Sequence, residues 1–457
     1  MQPRSLQQLR DDAWAIWSAG LEAVRSDRLV REAVQVLEGD LYIGDACLPL
    51  AEIDRILVVG AGKAGAGMAA GLEEALGPQL LKEKQVAGWI NVPDDCVRPL
   101  TQLHLHGARP AGQNEPTAAG VAGTRRILEL VQSAGPRDLC LCLISGGGSA
   151  LLPAPVPGVS IEDKQSVTRF LSGAGANIEE LNTVRKQLSL VKGGGLLRAC
   201  QAGRLITLLI SDVIGDPLDV IASGPTVENT TTAADALGVL EKFQARQHGL
   251  PASLFQALEQ AAASAPPAVR TQSATLVIGN NAAAVDAAGV EAERRGYSHA
   301  MTAATQLEGA AEEIGVRLAQ LAVSMRTQNG PDCLITGGEP IVHLVPAAER
   351  GRGGRNQQLV LAALAEMQTT ANGLEGIVLL SGGTDGEDGP TDAAGAVVDA
   401  RIAARAQQLQ LSPDDYLRRN DAWRFFAPID GLLKTGPTDT NVCDIRVVVV
   451  DRRQERT

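Results

Sequence analysis

The feature that most constrains the fold of this chain is a short apolar run that ends in a turn of glycine, serine, threonine, asparagine or acidic residues. This unit recurs along the sequence at 55–65, 139–149, 205–212, 275–281, 333–339 and 377–385. Continuous apolar strands of this kind are typical of parallel sheets that helices cover on both faces. We therefore predict an α/β protein whose ligands bind beyond the carboxyl ends of the strands, where these turns lie.

The length of the chain predicts two domains. Its 457 residues are too many for one ordinary hydrophobic core, so we expect two α/β domains. The segment with the weakest signal for regular structure is 241–272, which contains many alanine and glutamine residues and several prolines. We place the boundary in this segment, with one domain at 1–250 and the other at 251–457.

Composition and charge exclude several classes of function. The net charge of −12, with no clustering of basic residues along the sequence, disfavours a nucleic acid partner. No apolar run resembles a membrane span or a secretory signal, so we expect no membrane association and a cytoplasmic location. The seven cysteines lie mostly in apolar runs and are interpreted as reduced thiols. The oligomeric state is left open, with a homodimer as one alternative.

The first glycine-rich turn follows the apolar run at 55–59. Gly60, Gly62 and Gly65 match the dinucleotide-binding fingerprint between a strand and a helix, so a nicotinamide-dependent enzyme is one interpretation. Lys63, inside the same turn, favours instead a bound phosphate or carboxylate. A solvated surface lysine is the structural alternative.

Two further segments are candidate anion sites. In the first, at 145–149, three glycines between two serines suit a backbone cradle for phosphate, although the Walker A lysine is missing. In the second, Asn182, Arg185, Lys186 and Lys192 recur at helical spacing and form a basic stripe without an acidic residue. Anion binding and a plain solvated face are both compatible with this stripe.

Acidic residues follow two of the apolar runs. Asp212 and Asp216 come after the run at 205–210, and Asp385 and Asp388 belong to an acidic loop after the run at 377–380. Mg²⁺ takes one or two carboxylates and leaves its other positions to water and phosphate, so these acids are candidate ligands. The spacing of the acids also resembles a calcium-binding loop, but the bidentate glutamate that ends an EF-hand loop is missing, which disfavours calcium.

A third kind of group is supplied by arginine. Three arginines lie among glycines at 350–355, where a planar guanidinium can grip a carboxylate or phosphate through two parallel bonds. Together, an anion loop, lysine, arginine and acids are the components of phosphoryl transfer, which depends on positioning, charge neutralisation and Mg²⁺. The residues alone do not identify the acceptor.

Several long motifs resemble a known family, the glycerate 2-kinases with a MOFRL domain. They are the glycine turn with its lysine at 60–63, Leu-Ile-Ser-Gly-Gly-Gly-Ser-Ala-Leu at 143–151, Leu-Ile-Ser-Asp-Val-Ile-Gly-Asp at 209–216, Ile-Ala-Ser-Gly-Pro-Thr at 221–226, Gly-Arg-Gly-Gly-Arg-Asn-Gln at 351–357, the loop at 381–396 and Thr-Gly-Pro-Thr-Asp-Thr-Asn-Val at 435–442. The resemblance covers the chain from about 55 to 447, in the expected order. Two departures are Gln358, where the family usually has glutamate, and Asp439, where it often has glycine.

The resemblance implies a fold and an activity. The expected fold is a Rossmann-like parallel sheet in the N-terminal domain and a second α/β domain that contains MOFRL at about 330–447, with the active site in the cleft between them. The expected reaction transfers phosphate from ATP, with Mg²⁺, to D-glycerate and gives 2-phospho-D-glycerate. Some relatives are named hydroxypyruvate reductases, which keeps NAD(P)H-dependent reduction as the alternative. A non-catalytic sugar-phosphate sensor is a second rival.

The resemblance also implies roles for single residues. Lys63 and Arg355 are expected to neutralise the glycerate carboxylate and the migrating phosphoryl group, and Asp212 to orient or deprotonate the 2-hydroxyl. The expected metal ligands are Asp212, Asp385 and Asp388. The groups expected to contact substrate or phosphate are Gly60, Gly62, Ser145, Gly146, Gly147, Gly148, Ser149, Asn182, Arg185, Lys186, Lys192 and Asn356.

Overall fold

The computed structural model of the protein describes residues 4–113, 115–264, 268–370 and 372–452. The α-helices are α1 (Leu6–Ala23), α2 (Ser26–Ala33), α3 (Gly65–Glu83), α4 (Ala118–Gln132), α5 (Gly148–Leu151), α6 (Ile161–Gly173), α7 (Ile178–Gln187), α8 (Gly195–Ala199), α9 (Ala233–Lys242), α10 (Ala252–Ala262), α11 (Asn281–Arg294), α12 (Ala311–Thr327), α13 (Arg355–Gln368), α14 (Ala400–Gln408), α15 (Pro413–Arg418) and α16 (Ala422–Phe426). The strands are β1 (Val34–Leu37), β2 (Asp40–Ile43), β3 (Ala46–Pro49), β4 (Ile56–Ala61), β5 (Ala87–Pro93), β6 (Leu103–Arg109), β7 (Leu139–Ile144), β8 (Arg204–Ile210), β9 (Gln272–Gly279), β10 (His299–Thr302), β11 (Cys333–Gly338), β12 (Ile377–Gly383), β13 (Gly395–Val398), β14 (Leu432–Leu433) and β15 (Asp444–Val450).

The chain forms two compact units that do not follow the predicted domains. One unit is Ser26–Ile278, called here the 26–278 unit. The other, called the split unit, combines the chain up to Arg25 with the chain from Gly279 onward. The 26–278 unit extends past the predicted boundary at 250 because β9 supplies an edge strand of its sheet. The first helix, α1, packs on α11 and β15 of the split unit.

The sheet of the 26–278 unit has six strands in the order β6-β5-β4-β7-β8-β9. The four pairs from β6 to β8 are parallel. The chain therefore builds the sheet outward from β4 on one side and from β7 on the other, which is the strand order of a Rossmann fold. This confirms the expected Rossmann-like sheet. A separate antiparallel sheet is formed by β1, β2 and β3.

The sheet of the split unit has the order β10-β11-β15-β12-β13-β14. Only its β10–β11 pair is parallel, and the other recorded pairs are antiparallel. The prediction of a parallel sheet from the apolar runs at 333–335 and 377–380 is therefore wrong, because β15 lies between β11 and β12 and runs against both. Helices cover this sheet, with α1 and α12 contacting β15 and α13 contacting β12, so its antiparallel strands are as apolar as parallel ones.

In the part of the chain that the structure describes, no helix combines the length and the apolar character needed to span a bilayer.

Candidate functional site

Three predicted segments meet at one edge of the sheet in the 26–278 unit. Lys63 follows β4, the 145–149 loop follows β7, and Asp212 follows β8. These strands are parallel neighbours, so their carboxyl ends lie together. The strand order reverses between β4 and β7, and ligands of doubly wound sheets bind beyond such a reversal. The fold therefore brings Lys63, the glycine loop and Asp212 to the expected edge.

The two glycine turns at this edge are joined by hydrogen bonds. The Ser145 hydroxyl accepts a bond of 3.0 Å from the backbone N–H of Ala64, and the Gly146 carbonyl accepts one of 2.9 Å from Lys63. Gly62, at φ 150°, is required here because a Cβ would lie 2.0 Å from the Ser145 hydroxyl oxygen. Ser145 and Gly146 therefore hold the Lys63 turn, a structural role that the predicted phosphate cradle did not include.

Gly60 also has a packing role. A Cβ at Gly60 would lie 2.3 Å from the carbonyl oxygen of Leu143, on the neighbouring strand β7. Glycine at this position allows the two strands to approach, whether or not a dinucleotide binds. The fingerprint glycines at Gly60 and Gly62 are thus explained by the contact between β4 and β7.

The middle of the glycine loop lies beside two basic side chains. A Cβ at Gly147, which has φ 77°, would be 3.3 Å from an Arg109 guanidinium nitrogen and 3.5 Å from Cγ of Lys63. Arg109 is buried at the end of β6. Arg109 was not predicted from the sequence, because β6, Leu-His-Leu-His-Gly-Ala-Arg, is not a continuous apolar run like those that marked the other strands of this edge.

A pocket with a cavity volume of about 110 Å³ opens next to the end of the glycine loop, and we call it the cationic pocket. Its basic lining residues are Lys164, Arg169, Arg185 and Lys192, and its one acidic lining residue is Glu115. The remaining wall is formed by Pro116, Ser149, Ala150, Pro153, Gln165, Val167, Thr168 and Leu188. The predicted residues Ser149, Arg185 and Lys192 thus meet in one pocket, and Lys164 joins them.

Ser149 is the centre of the hydrogen bonds in this pocket. Its hydroxyl oxygen lies 2.5 Å from the Lys192 ammonium and 2.5 Å from the Arg185 guanidinium, and both donate to it. The Lys192 ammonium also donates to the Ser149 carbonyl at 2.8 Å. The hydroxyls of Ser149 and Ser223 are 2.9 Å apart. A buried ammonium and a half-buried guanidinium therefore converge on one neutral oxygen.

Burial and mutual repulsion lower the pKa values of the basic groups. Burial, with a further effect from Arg185, lowers the pKa of Lys164 to about 7. Burial, followed by the charges of Arg185 and Lys164, lowers the pKa of Lys192 well below its ordinary value. Burial also lowers the pKa of Arg185. A bound anion would reverse these effects, because an opposite charge nearby favours the charged form.

The predicted basic stripe is divided between two environments. Lys186 does not line the pocket, because its ammonium forms an ion pair of 3.0 Å with Asp219. Asn182 is buried, and its side-chain oxygen accepts a bond of 3.4 Å from Arg185. Of the stripe, Arg185 and Lys192 remain direct candidates for anion binding, while Asn182 holds Arg185.

In the split unit, Arg355 is held by protein carboxylates. Its guanidinium donates two bonds to Asp444, at 2.8 and 3.0 Å, and a third of 2.7 Å to Glu339. Burial alone would lower the pKa of Arg355, but the Asp444 and Glu339 carboxylates raise it above its ordinary value. This differs from the expected clamp on glycerate or phosphate, because the protein already supplies the anions that neutralise the guanidinium.

Asp388 and Asn356 are both hydrogen-bonded within the split unit. Asp388 is buried, and its two carboxylate oxygens accept bonds of 3.0 and 2.8 Å from the backbone N–H groups of Asn356 and Gln357, in the first turn of α13. Burial raises the pKa of Asp388 to about 7, against the opposing effect of these two bonds. Asn356 is buried as well, and its side chain accepts a bond of 2.5 Å from Ser381. Both residues anchor a helix end.

The assignment of Asp212, Asp385 and Asp388 as metal ligands remains a prediction. Asp388 already accepts hydrogen bonds from the first turn of α13 at both of its carboxylate oxygens. Asp212 belongs to the 26–278 unit, whereas Asp385 belongs to the split unit. Among the described residues, no group of three or more histidine, cysteine, aspartate or glutamate side chains is arranged to hold a metal ion.

The structure explains one of the two departures from the family pattern, Gln358, by its hydrogen bonds. The Gln358 side chain donates to a Glu312 carboxylate oxygen at 2.9 Å and to the Leu417 carbonyl at 3.0 Å. A glutamate there would lack a donor and would face Glu312 with the same charge. Asp439 has φ 56°, in the left-handed region that favours glycine, which is the residue expected there from the family.

Comparisons with known proteins agree with this architecture. The family described as a domain of unknown function, DUF4147, matches residues 12–259, and the MOFRL family matches residues 332–444. The chain is 36% identical to D-glycerate 2-kinase of Thermotoga maritima, over 98% of this chain and 99% of that one. It is 38% identical to an Agrobacterium vitis protein provisionally named hydroxypyruvate reductase, over 87% of this chain and 99% of that one.

The same likeness holds for solved structures. The crystal structure of glycerate kinase from Thermotoga maritima matches with a TM-score of 0.82 and 35% identity, over 97% of this chain and 100% of that one. Fold and pocket define a two-unit α/β protein with a basic pocket suited to a small anion. The chain belongs to the glycerate kinase family that joins a DUF4147 domain to a MOFRL domain, as its sequence motifs indicated.

Proposed function

We propose that this protein transfers the terminal phosphate of ATP to the 2-hydroxyl of D-glycerate, giving 2-phospho-D-glycerate and ADP. The observation that carries the proposal is the cationic pocket, which lies beside the switch point of a Rossmann-like sheet in a chain of the glycerate kinase family. Glycerate, ATP and the phosphorylated product are all anions, and phosphoryl transfer depends chiefly on neutralising and positioning such charges.

The proposed step has a simple balance of atoms. The 2-hydroxyl oxygen of glycerate forms a bond to the γ-phosphorus, and the bond from that phosphorus to the oxygen shared with the β-phosphate breaks. Asp212 orients the hydroxyl and accepts its proton, while Lys63 neutralises the transferring group. Lys63 follows β4 and Asp212 follows β8, two parallel strands on either side of β7, so both lie at the same edge of the sheet, which supports their acting on one substrate. Mg²⁺ enters with ATP, held mainly by the nucleotide phosphates.

The proposed roles of the remaining residues follow from their partners. Arg185 and Lys192 supply positive charge to the anionic ligands, because they meet only neutral oxygens in the pocket. Three of the five N–H donors of Arg355 bind Asp444 and Glu339, and these carboxylates neutralise its charge. We therefore assign the primary anion contacts to the 26–278 unit, with Arg355 as a group that orients the two carboxylates.

The second candidate is the reduction of hydroxypyruvate with NAD(P)H. It is favoured by the name of the Agrobacterium vitis relative and by the fingerprint glycines. The packing of Gly60 against Leu143 and of Gly62 against Ser145 gives those glycines a reason that needs no dinucleotide. The kinase is therefore the better supported of the two functions.

One pair of assays separates the two candidates. Purified protein is incubated with D-glycerate, ATP and Mg²⁺, and ADP release is followed by chromatography. In parallel, it is incubated with hydroxypyruvate and NADH, and absorbance is followed. The proposal predicts glycerate-dependent ADP release that stops with excess EDTA, and no NADH oxidation. NADH oxidation without ADP release would assign the chain to the reductases.

A further inference from the structure

The cationic pocket carries an excess of positive charge. Four basic side chains line it, against the single carboxylate of Glu115; of these five groups, Arg169 and Glu115 are exposed. Lys164 and Lys192 are 8% and 3% exposed. Isolated buried charges cost several kcal/mol unless a partner neutralises them, so the composition of this pocket calls for a strongly anionic ligand.

The hydrogen bonds within the pocket involve neutral oxygens. Lys164 donates to the Leu188 carbonyl at 2.9 Å, and Arg185 and Lys192 both donate to Ser149. Within the described residues, none of these three cations forms an ion pair with a carboxylate, whereas Lys186 on the same helix as Arg185 pairs with Asp219. The protein thus neutralises the lysine outside the pocket and leaves the charges inside it for a ligand.

The number of basic groups distinguishes one class of anion from another. A carboxylate carries one charge, whereas a phosphoryl group near neutral pH carries close to two charges on three oxygens. Lys164, Arg185 and Lys192 come from α6, from α7 and from the segment after α7, so three separate segments supply one donor group each. Ala150, Pro153, Val167 and Leu188 add an apolar wall for a short carbon stem.

We propose that the cationic pocket holds a phosphoryl dianion, and that Lys164 is the side chain that distinguishes this dianion from a monoanionic carboxylate. The proposal rests on the proposed function only for the choice of competing ligands. The phosphoryl group could belong to the phosphorylated hydroxy acid or to the nucleotide, and both share the chemistry that the pocket recognises.

Lys164 is suited to this discrimination because its charge depends on its surroundings. Burial and the neighbouring Arg185 lower the pKa of Lys164 to about 7. The other charged groups that line the pocket around it are Lys192, Arg169 and Glu115. A dianion would raise this pKa much more than a monoanion, so binding of a dianion at pH 7.5 takes up a proton on Lys164.

The test uses sulfate, a dianion that does not itself titrate near neutral pH. Isothermal titration calorimetry at pH 7.5, in two buffers with different ionisation enthalpies, measures the affinity and the protons taken up. We expect sulfate to bind wild type with net proton uptake, and glycerate to bind with little. Lys164→Met should reduce the uptake by the share that Lys164 contributes and weaken sulfate binding by about tenfold or more, with a much smaller effect on glycerate.

Matched variants keep the result interpretable. Lys164→Gln serves as the second neutral replacement if the methionine variant fails to fold. Lys242→Met removes an exposed lysine whose ammonium pairs with Glu180, outside the pocket, and should leave sulfate binding unchanged. Equal weakening of sulfate and glycerate by the Lys164 variants, or sulfate binding that is unaffected by them, would overturn the proposal.

Competition identifies the source of the phosphoryl group. Displacement of sulfate by 2-phosphoglycerate assigns the pocket to the phosphorylated acid, and displacement by ATP or ADP assigns it to the nucleotide. Displacement by neither contradicts the proposal. The kinase assay is a separate measurement. If the protein binds sulfate through Lys164 but does not phosphorylate glycerate, the proposed reaction is wrong and the assignment of the pocket stands.

Discussion

Arg185 and Arg355 carry the same charge in opposite surroundings. Arg185 donates to the hydroxyl of Ser149 and the amide oxygen of Asn182, and burial lowers its pKa. Arg355 donates to Asp444 and Glu339, and these carboxylates raise its pKa. A guanidinium that meets only neutral oxygens gains most from a ligand anion, so the chemistry of the site depends more on Arg185.

The pairing of Arg355 predicts a large loss of stability when it is broken. Arg355→Met leaves Asp444, which is fully buried, without its cation, so we expect a loss of about 3–5 kcal/mol in the free energy of unfolding. The double variant Arg355→Met/Asp444→Asn should lose clearly less free energy of unfolding than the sum of the losses of the two single variants. Urea unfolding of the four proteins measures this coupling. Strict additivity would contradict the ion pair.

Arg355→Lys separates a structural from a substrate-contacting role. Lysine keeps the charge but not the two parallel bonds to Asp444. We expect this variant to unfold at a lower urea concentration and to lose part of its kcat, with KM for glycerate close to wild type. A large rise in KM with unchanged stability would restore the substrate clamp that the sequence suggested.

Lys164 predicts a particular dependence of stability on pH. Folding lowers its pKa from about 10.5 to about 7, so between these values the unfolded chain binds more protons than the folded chain. The cost of burying Lys164 is therefore fully present below pH 7 and is relieved as pH rises toward 10. Lys164→Met should be more stable than wild type at pH 6, by a margin that shrinks by up to about 1.4 kcal/mol per pH unit above 7.

The replacement residue provides the control for this prediction. Lys164→Gln should show the same pH slope relative to wild type, because the slope depends on removing the titrating group and not on the packing of its replacement. Chemical unfolding at pH 6, 7, 8 and 9 measures both variants. A stability difference from wild type that stays constant over this range would contradict the lowered pKa.

At the scale of secondary structure, the first turn of α13 depends on a carboxylate from another segment. Asp388 accepts the backbone N–H groups of Asn356 and Gln357, which have no partners within the helix. The residue before the helix, Gly354, has no side chain to do this. The acidic loop after β12 thus supplies the acceptor that the N-terminus of α13 needs.

Substitution of Asp388 tests this assignment against its predicted role as a metal ligand. Asp388→Ala should lower the free energy of unfolding by about 1–3 kcal/mol, because two buried donors lose their acceptor. Asp388→Asn keeps one acceptor oxygen and should lose less. Both should retain the wild-type dependence of activity on Mg²⁺ concentration. A shift of that dependence to much higher Mg²⁺ in Asp388→Asn would return this residue to the metal.

The elements that the sequence predicted are those set by local signals. The strand, glycine turn and helix around Lys63 follow from residues close in sequence, and so does the parallel order of β4, β7 and β8. The partner of Arg355 was not predictable in this way, because Asp444 lies 89 residues further along the chain. The hydrogen bonds of Asp388 were not predictable either, because sequence shows a carboxylate but not the helix end that it faces.

The same limit applies to the sheet of the split unit. Its β15 strand, Asp444–Val450, is buried along its whole length, as are β4 and β7. Burial on both faces was interpreted as parallel pairing, although an antiparallel strand covered by helices has the same apolar pattern. Direction is determined by the connections, which the hydrophobic pattern does not report.

At the scale of the whole chain, the first helix belongs with the last strands. Trp17 of α1 is fully buried, and its indole N–H donates to the Gly382 carbonyl at 3.4 Å. Leu9 and Ile16 on the same helix are also fully buried. The helix therefore completes the core of the split unit, which the predicted boundary at 250 did not anticipate.

Fragments of the chain test this division. The fragment 26–278 should unfold cooperatively by itself, because it contains all six strands of its sheet and lacks only Gly279, the last residue of β9. The fragment 279–457 should do so only when the segment 1–25 is supplied, on the same chain through a linker or as a peptide. Circular dichroism during heating measures each case. Independent folding of 279–457 with unchanged stability would contradict the role of α1.

The central claim, phosphorylation of glycerate at its 2-hydroxyl, is tested most directly by the phosphorus NMR spectrum of the product. The protein is incubated with D-glycerate, ATP and Mg²⁺, and the phosphomonoester signal is recorded without proton decoupling. Phosphate on the 2-oxygen has one neighbouring carbon-bound proton and gives a doublet, whereas phosphate on the 3-oxygen has two and gives a triplet. The account predicts the doublet together with stoichiometric ADP; a triplet, or ATP left intact, would contradict it.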